Sequence, residues 1–417
     1  VTNRRALWTV AFVALAIRLA AAVVVDGFRH PEVNEYDSLA RALVSGQGFL
    51  YYHIGIPYYS YAPPMDAWIG AASYWLTGAL ALKMAIQIAA GTALCVVTAI
   101  LATRLFGGWI APLAAGLLVA VHPGLVIYNV QKSHPLSLDA LFFSLALLAT
   151  IRLFERPTTR RAIELGAIVG IGAFSRATIV VFLPIAGLWL LVSTWPAWIG
   201  AVRNGVFAGV IAAAIIAPWT IRNTLIHHRF VFMLTTDGDD FWRGNNPNAT
   251  GHSYVRPGLI VLDAMPPDEK RDLESQPNEL AQADWFWRHA RAFIREHPDQ
   301  FVRLTLLKFY SFWWFAPQTG VLYPGAWRAL YMAYYSSVLV LAIVGAWTVR
   351  RSGPPATQIG LVIAAFLLGL SALQSLYYVE GRHRWAVEPM VIVLSGGGVA
   401  TLLSRLRVRV PETAPLR

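Results

Sequence analysis

Cysteine is almost absent. Cys95 is the only one and lies inside an apolar run, which excludes an intrachain disulfide and any cysteine-based metal centre. Charge is scarce too. Charged residues make up 14% of the chain, where a water-soluble domain carries about a quarter, so bulk solvent is not its main environment. Lysine is confined to Lys83, Lys132, Lys270 and Lys308. No HExxH, GxGxxG or GxxxxGK[ST] pattern occurs, and the histidines lack metal-ligand spacing. There is no repeat of fixed period and no low-complexity tract. The first apolar run is not followed by a small-residue cleavage site, so it reads as a retained helix and not as a signal peptide.

What the chain has instead is apolar length. Of its 417 residues 56% are hydrophobic, and its 16 Trp and 16 Tyr suit a protein with two membrane interfaces. The net charge of +11 comes largely from Arg at the ends of apolar runs, which points to membrane topology or to anionic headgroups and phosphates, not to nucleic acid. Spans are expected near 6–25, 79–103, 109–128, 136–154, 162–175, 178–194, 198–218, 327–348, 357–377 and 386–404, so the fold class is an all-α polytopic membrane bundle of about ten helices. Arg4, Arg5, Arg104, Arg152, Arg156, Arg160, Arg161, Arg203, Arg350, Arg351 and the cluster Arg405, Arg407 and Arg409 mark the cytoplasmic side. The outside then receives 26–78, 129–135, the turn at Arg176, 219–326 and 378–385. Three units follow: 1–219 with the first external loop 26–78, an external cap over 220–326, and the final helices and tail over 327–417. Phe301–Ala316 is aromatic-rich and would invert the last helices if it crossed, so it reads as an interfacial or re-entrant helix.

Four external segments could carry chemistry. The first loop holds Glu32, Glu35 and Asp37 around Tyr36, ahead of an amphipathic helix that Gly46 and Gly48 end. Such acids could supply a general base or bind a cation; equally, Asp37 and Arg41 form an i,i+4 pair and acids favour a helix N-terminus. Before the last span, Arg382, His383 and Arg384 oppose the charge bias of topology. Phosphate binding would explain that, as would an interfacial anchor with Glu380 pairing Arg384. Pro218–Asn223, with Arg222, and the turn 244–251 read as a helix exit and a loop. In the small second loop, Lys132 could reach a phosphate and His134 could be a base or simply be solvated.

In these segments the chain resembles the bacterial branch of the protein mannosyltransferase and aminoarabinose transferase superfamily. The likeness rests on an ordered series: the acidic patch before Tyr36-x-x-x-Ala-Arg-x-Leu43 with Gly46-x-Gly-Phe49; Tyr61-Ala-Pro-Pro64; Ser133-His-Pro-Leu136; Phe174-Ser-Arg-Ala177; Pro218-Trp-x-x-Arg-Asn223; Gly244-Asn-Asn-Pro247; and Arg382-His-Arg-Trp385 with Glu388-Pro389. The resemblance implies a GT-C-type fold and a glycosyltransferase in the bacterial cytoplasmic membrane. A polyprenyl-phosphate-linked sugar is its donor, and a glycan, lipid or protein acceptor meets it at the outer face, with inversion. It implies an essential acid in the first loop, four residues before the Tyr. Here that position is Glu32, where the family usually has Asp, and Glu35 and Asp37 match further common acids. His134 stands where the family tends to have an acid. By the same resemblance Arg382, Arg384, Arg176, Lys132 and Arg222 would balance the phosphate charge, with Tyr36, His134 and His383 close by. No spacing requires a metal or other cofactor, although a divalent cation is compatible with the acidic loop. The rival reading is a transporter or flippase of a lipid-linked or anionic substrate. It would more often show two repeated halves with broken helices.

Overall fold

A computed structural model describes residues 3–196, 198–316 and 325–408. The chain is helical almost throughout. The N-terminal bundle comprises α1 (Asn3–Val24), α2 (Glu35–Val44), a hairpin of β1 (Tyr51–His53) and β2 (Ile56–Tyr58), α3 (Met65–Thr77), α4 (Ala81–Phe106), α5 (Ile110–Ala120), α6 (Pro123–Val130), α7 (Leu136–Glu155) and α8 (Thr159–Ala173). A 3-10 turn (Ala177–Val181) leads to α9 (Phe182–Ser193) and α10 (Trp198–His227). The polar stretch that follows folds as α11 (Asp237–Arg243), β3 (Tyr254–Arg256), β4 (Leu259–Ile260), α12 (Pro267–Glu274), α13 (Glu279–Glu296) and α14 (Pro298–Trp313). The chain closes with α15 (Gly325–Arg351), α16 (Ala356–Ser375), α17 (Gly381–Trp385) and α18 (Glu388–Val408).

Every expected span is helical, although some of these helices are short. Seven of the described helices are long and apolar enough to cross a membrane. An eighth arises if α5 and α6, bent by 55° at Val121–His122, act as one span. His122 caps α6 by accepting the Leu125 N–H, and Pro123 supplies a first position that needs no donor; a second helix thus starts where hydropathy alone shows one run. α8 has only 15 residues, and the apolar stretch Ala177–Ser193 is likewise short. The chain is a multi-pass membrane protein. Arg409, expected in the cytoplasmic cluster, lies outside the described residues.

Packing ranks the helices by depth. The apolar window of α7 is 78% buried, against 22% for α1 and 28% for α10 and α15, so α7 is central and the others turn apolar side chains such as Phe12, Val210 and Ile343 outward. Lipid offers no hydrophobic drive between helices, so close approach must supply dispersion energy. Gly345 and Gly398 show this: a Cβ at either would overlap the carbonyl oxygen of Leu394 or Leu341, at the α15–α18 contact.

The polar segment after α10, with the first loop, is tied to the bundle through polar contacts. Asn34 caps α2 by accepting the Tyr36 N–H, and Asn278 caps α13 through Ala281. The cap has its own core of Trp242, Val261, Met265, Leu273, Trp285, Phe286 and Ala290. Buried Glu279 accepts hydrogen bonds from the Tyr59 N–H (2.8 Å), the Ser60 N–H (3.3 Å) and Thr235 Oγ1 (2.6 Å), with His227 Nε2 at 3.2 Å. One carboxylate therefore joins α13, the first loop and the end of α10. The 16-residue α14 covers the expected interfacial segment. It buries Lys308, Ser311 and Phe312 and exposes Val302, Leu306 and Tyr310.

Candidate active site

The three acids of the first loop have three different fates. Glu32 forms a parallel backbone bridge with the second loop, its N–H donating to Gln131 O and its carbonyl accepting from the Ser133 N–H. Its carboxylate receives Gln131 Nε2 at 2.6 Å and Lys132 Nζ at 2.5 Å. Asp37 is buried and accepts from Arg41 Nε at 2.8 Å and from the Tyr74 hydroxyl at 2.5 Å. Glu35, the first residue of α2, is half-buried and makes no hydrogen bond or ion pair among the described residues. Its charge acts on Tyr36, Tyr51, Tyr61, Asp66 and Arg382.

The basic residues divide in the same way. Arg382 pairs through Nε with Glu380 (2.8 Å) and stays about one-third exposed, with its terminal nitrogens free. Arg176 donates to Asp139 at 3.2 Å, and the Ser175 hydroxyl holds the other oxygen of that carboxylate at 2.6 Å. Lys132 pairs with Glu32. Each of these cations is steadied by one acid and keeps further N–H groups for a ligand.

Arg384 and Arg222 are held differently from what the resemblance implies. Arg384 is buried, donates to Glu388 (2.7 Å), the Tyr331 hydroxyl (2.7 Å) and Phe312 O (3.2 Å), and lies over the Tyr335 ring at 4.1 Å. Glu388 in turn meets His122 Nε2 at 2.6 Å. The pairing expected with Glu380 thus falls to Arg382, because one helical turn carries Arg384 onto Glu388 instead. Arg222 donates to Tyr59 O (2.6 Å) and Asn223 Oδ1 (2.8 Å) and stacks over Trp219 at 4.6 Å. Both guanidinium groups join elements of the protein to one another.

His134 and His383 share a tautomer. His134 Nδ1 accepts the Leu136 N–H at 3.1 Å, and His383 Nδ1 accepts the Glu380 N–H at 3.2 Å within a capping box. Burial holds both well below the usual imidazole range. The charges of Arg382 and Arg176 add to this, joined at His134 by Lys83 and Lys132. A neutral ring whose Nδ1 accepts carries its proton on Nε2. Each can therefore donate a hydrogen bond but has no free lone pair, which corrects the expectation of His134 as a base.

Charge ties these groups together: Arg382 and Arg176 both act on His134 and His383, Lys132 acts on His134, and Glu35 acts on Arg382. The phenol groups of Tyr36, Tyr51, Tyr61 and Tyr378 make no hydrogen bond among the described residues, and none has its oxygen sealed from solvent. Burial raises all four, and Glu35 raises the first three further. Tyr51, His53, Tyr58 and Tyr61 cluster, with Tyr51 and Tyr61 centroids 4.4 Å apart. Sequence reasoning missed two acids. Asp66 is buried against Lys83 (2.5 Å), and its Oδ1 has no partner among the described residues. Asp139 is a single acid near the start of an apolar span, the signal that could have found it. A largely apolar cavity of about 390 Å³ is lined by Glu32, Lys132, Ile127, Phe315, Tyr331 and Arg384. Among the described residues no group of three His, Cys, Asp or Glu side chains is placed to hold a metal ion.

Residues 61–221 match the family model of dolichyl-phosphate-mannose-protein mannosyltransferases. The resemblance read in the sequence is borne out. The matched segment contains Tyr61–Pro64, Ser133–Leu136 and Phe174–Ala177, the last two carrying His134 and Arg176. No curated protein sequence matches the chain. Among solved structures, it is similar to the oligosaccharyltransferase AglB from Archaeoglobus fulgidus in complex with an inhibitory peptide and a dolichol-phosphate. The identity is 11% and the TM-score 0.55, over 95% of this chain and 51% of that one. A second A. fulgidus oligosaccharyltransferase structure, with Zn and sulfate, matches at 12% identity and a TM-score of 0.57, over 97% and 50%. ArnT from Cupriavidus metallidurans bound to undecaprenyl phosphate is 14% identical with a TM-score of 0.44, over 94% and 78%. The chain spans about half the length of the oligosaccharyltransferases it matches, and at these identities the likeness is one of fold.

Proposed function

We propose that this protein is a membrane glycosyltransferase that moves a sugar from a polyprenyl-phosphate-linked donor to an acceptor at the outer face of a bacterial cytoplasmic membrane. The observation that carries the reading is that one unpaired carboxylate, Glu35, acts on Arg382, while Arg382, Arg176 and Lys132 all act on the neutral His134, whose Nε2–H is left to donate. The mannosyltransferase family match over residues 61–221 supports it.

Each group has a role in this proposal. A phosphate ester already leaves well, so balancing the charge that develops on it counts for more than protonating it. Arg382 and Arg176 contact its oxygens, with Lys132 and His134 as further donors. Glu35 takes the proton from the acceptor hydroxyl or amine as that atom bonds to the anomeric carbon and the carbon–phosphate-oxygen bond breaks. One displacement inverts the anomeric centre. Glu32 steadies Lys132, Asp37 fixes the start of α2, and Arg384 and Arg222 hold elements of the protein together.

The test is transfer of radiolabelled sugar from a panel of polyprenyl-phosphate donors in membranes containing the protein, with Arg382→Ala alongside. Labelled product that falls by about 10²-fold or more in the variant is expected. Label that crosses the bilayer without forming product would replace the transferase with the transporter.

A further inference from the structure

The cap contributes an acid that the proposed reaction has not used. α11 carries Asp237, Asp239 and Asp240, and the first two are occupied. Asp237 is bonded by Trp287. Asp239 receives Arg243 at 2.6 and 2.8 Å and has His53 Nε2 at 3.4 Å. The Asp240 carboxylate makes no hydrogen bond or ion pair among the described residues, and neither of its oxygens is sealed from solvent.

Its position follows from how α11 is seated. Phe241 sets its ring edge-on to Tyr377, with centroids 5.5 Å apart. Asn245 Nδ2 donates to Leu376 O at 2.8 Å. A Cβ at Gly244 would overlap the Tyr377 carbonyl, so only glycine permits this approach. Val379 N–H donates to Gly251 O at 2.9 Å. The cap is thus fastened along residues 376–379, and Arg382 follows within one turn. The charge of Asp240 acts on Tyr377 and Tyr378 and is offset by Arg382, which Glu35 reaches from the first loop.

Resting on the transferase reading, we infer that Asp240 recognises the sugar of the donor, accepting hydrogen bonds from its hydroxyls while Arg382 holds its phosphate. In a sugar phosphate the ring begins one bond from the phosphate oxygen. Arg382 feels Glu35 from the first loop and acts on Asp240 of the cap, so a ring whose phosphate sits on Arg382 has both acids in its neighbourhood. Glu35 faces the acceptor beside Tyr36, and the carboxylate on the cap side meets the ring hydroxyls, with the free Tyr378 hydroxyl next to it. Two oxygens of one carboxylate suit a vicinal diol, so the class of donor is a hexose-type sugar with adjacent hydroxyls on the cap side. Burial, with the neighbouring acids, pushes Asp240 up to about 7 against the opposing charge of Arg243. Near neutral pH the group can then donate as well as accept.

Binding to the full chain in detergent separates the two readings. The probes are undecaprenyl phosphate alone and the same lipid carrying mannose, glucose or galactose. The wild type is expected to prefer at least one sugar-bearing lipid by about tenfold. Asp240→Ala should abolish that preference and leave the affinity for bare lipid unchanged, with Asp240→Asn intermediate. The inference is overturned by a preference that survives in Asp240→Ala, by an equal loss for bare lipid in that variant, or by a wild type that binds all four lipids alike. A wild type that binds none of them overturns the transferase reading itself.

Discussion

Glu32, Glu35 and Asp37 lie within six residues, and the fold gives each a different neighbour. Sequence spacing shows which residues share a helix face but not which charge waits across a loop. Asp37 meets Arg41, as an i,i+4 relation predicts, whereas the Lys132 partner of Glu32 lies 100 positions away. Glu35→Gln should therefore lower transfer by about 10²-fold or more, the loss expected for a general base, while leaving yield and thermal stability intact. Asp37→Asn should retain transfer but destabilise the protein by about 1–3 kcal/mol, since Arg41 and Tyr74 lose a charged acceptor. Measured rates and melting temperatures for the two variants check this; full activity in Glu35→Gln would remove the base assigned here. His134 teaches a related lesson. Its residue type suggested a base, and only the backbone N–H of Leu136 shows that its acceptor nitrogen is taken.

At the level of elements, all ten apolar runs were legible because burial in lipid or protein demands long apolar stretches. Their breaks were not. The 55° bend between α5 and α6 depends on a histidine cap and a proline, and hydropathy averages both away. α14 was legible as a helix, expected to be interfacial or re-entrant, but not its buried lysine. Lys308 Nζ donates to Gly244 O (3.1 Å) and Asn245 Oδ1 (3.0 Å), and burial pushes it down to about 7. An unfolded lysine titrates near 10.4. Between these values the unfolded chain binds the extra proton, so stability rises with pH across that window and is flat below it. Melting temperatures in detergent should thus climb from pH 7 to about 9 in the wild type and climb less in Lys308→Met. Equal slopes would show that this lysine stays charged.

For the whole molecule, the sequence showed a membrane bundle and one long polar segment but not how they are joined. Glu279 is the joint, and nothing in its local sequence marks it, because its partners Tyr59, Ser60, Thr235 and His227 come from three other parts of the chain. Glu279→Ala strands these donors and should cost about 3 kcal/mol. Limited proteolysis should then cut within residues 244–276 faster than in the wild type, while the transmembrane fragments survive. An unchanged cleavage pattern would mean that the cap is held elsewhere.

The joint also governs traffic. A roof that swings aside needs one weak edge, but this one is bolted at Glu279 on one side and along Leu376–Val379 on the other. On the transferase proposal, the oily tail of the donor would then lie in the apolar cavity lined by Ile127 and Phe315, beside the roof and not beneath a moving edge of it.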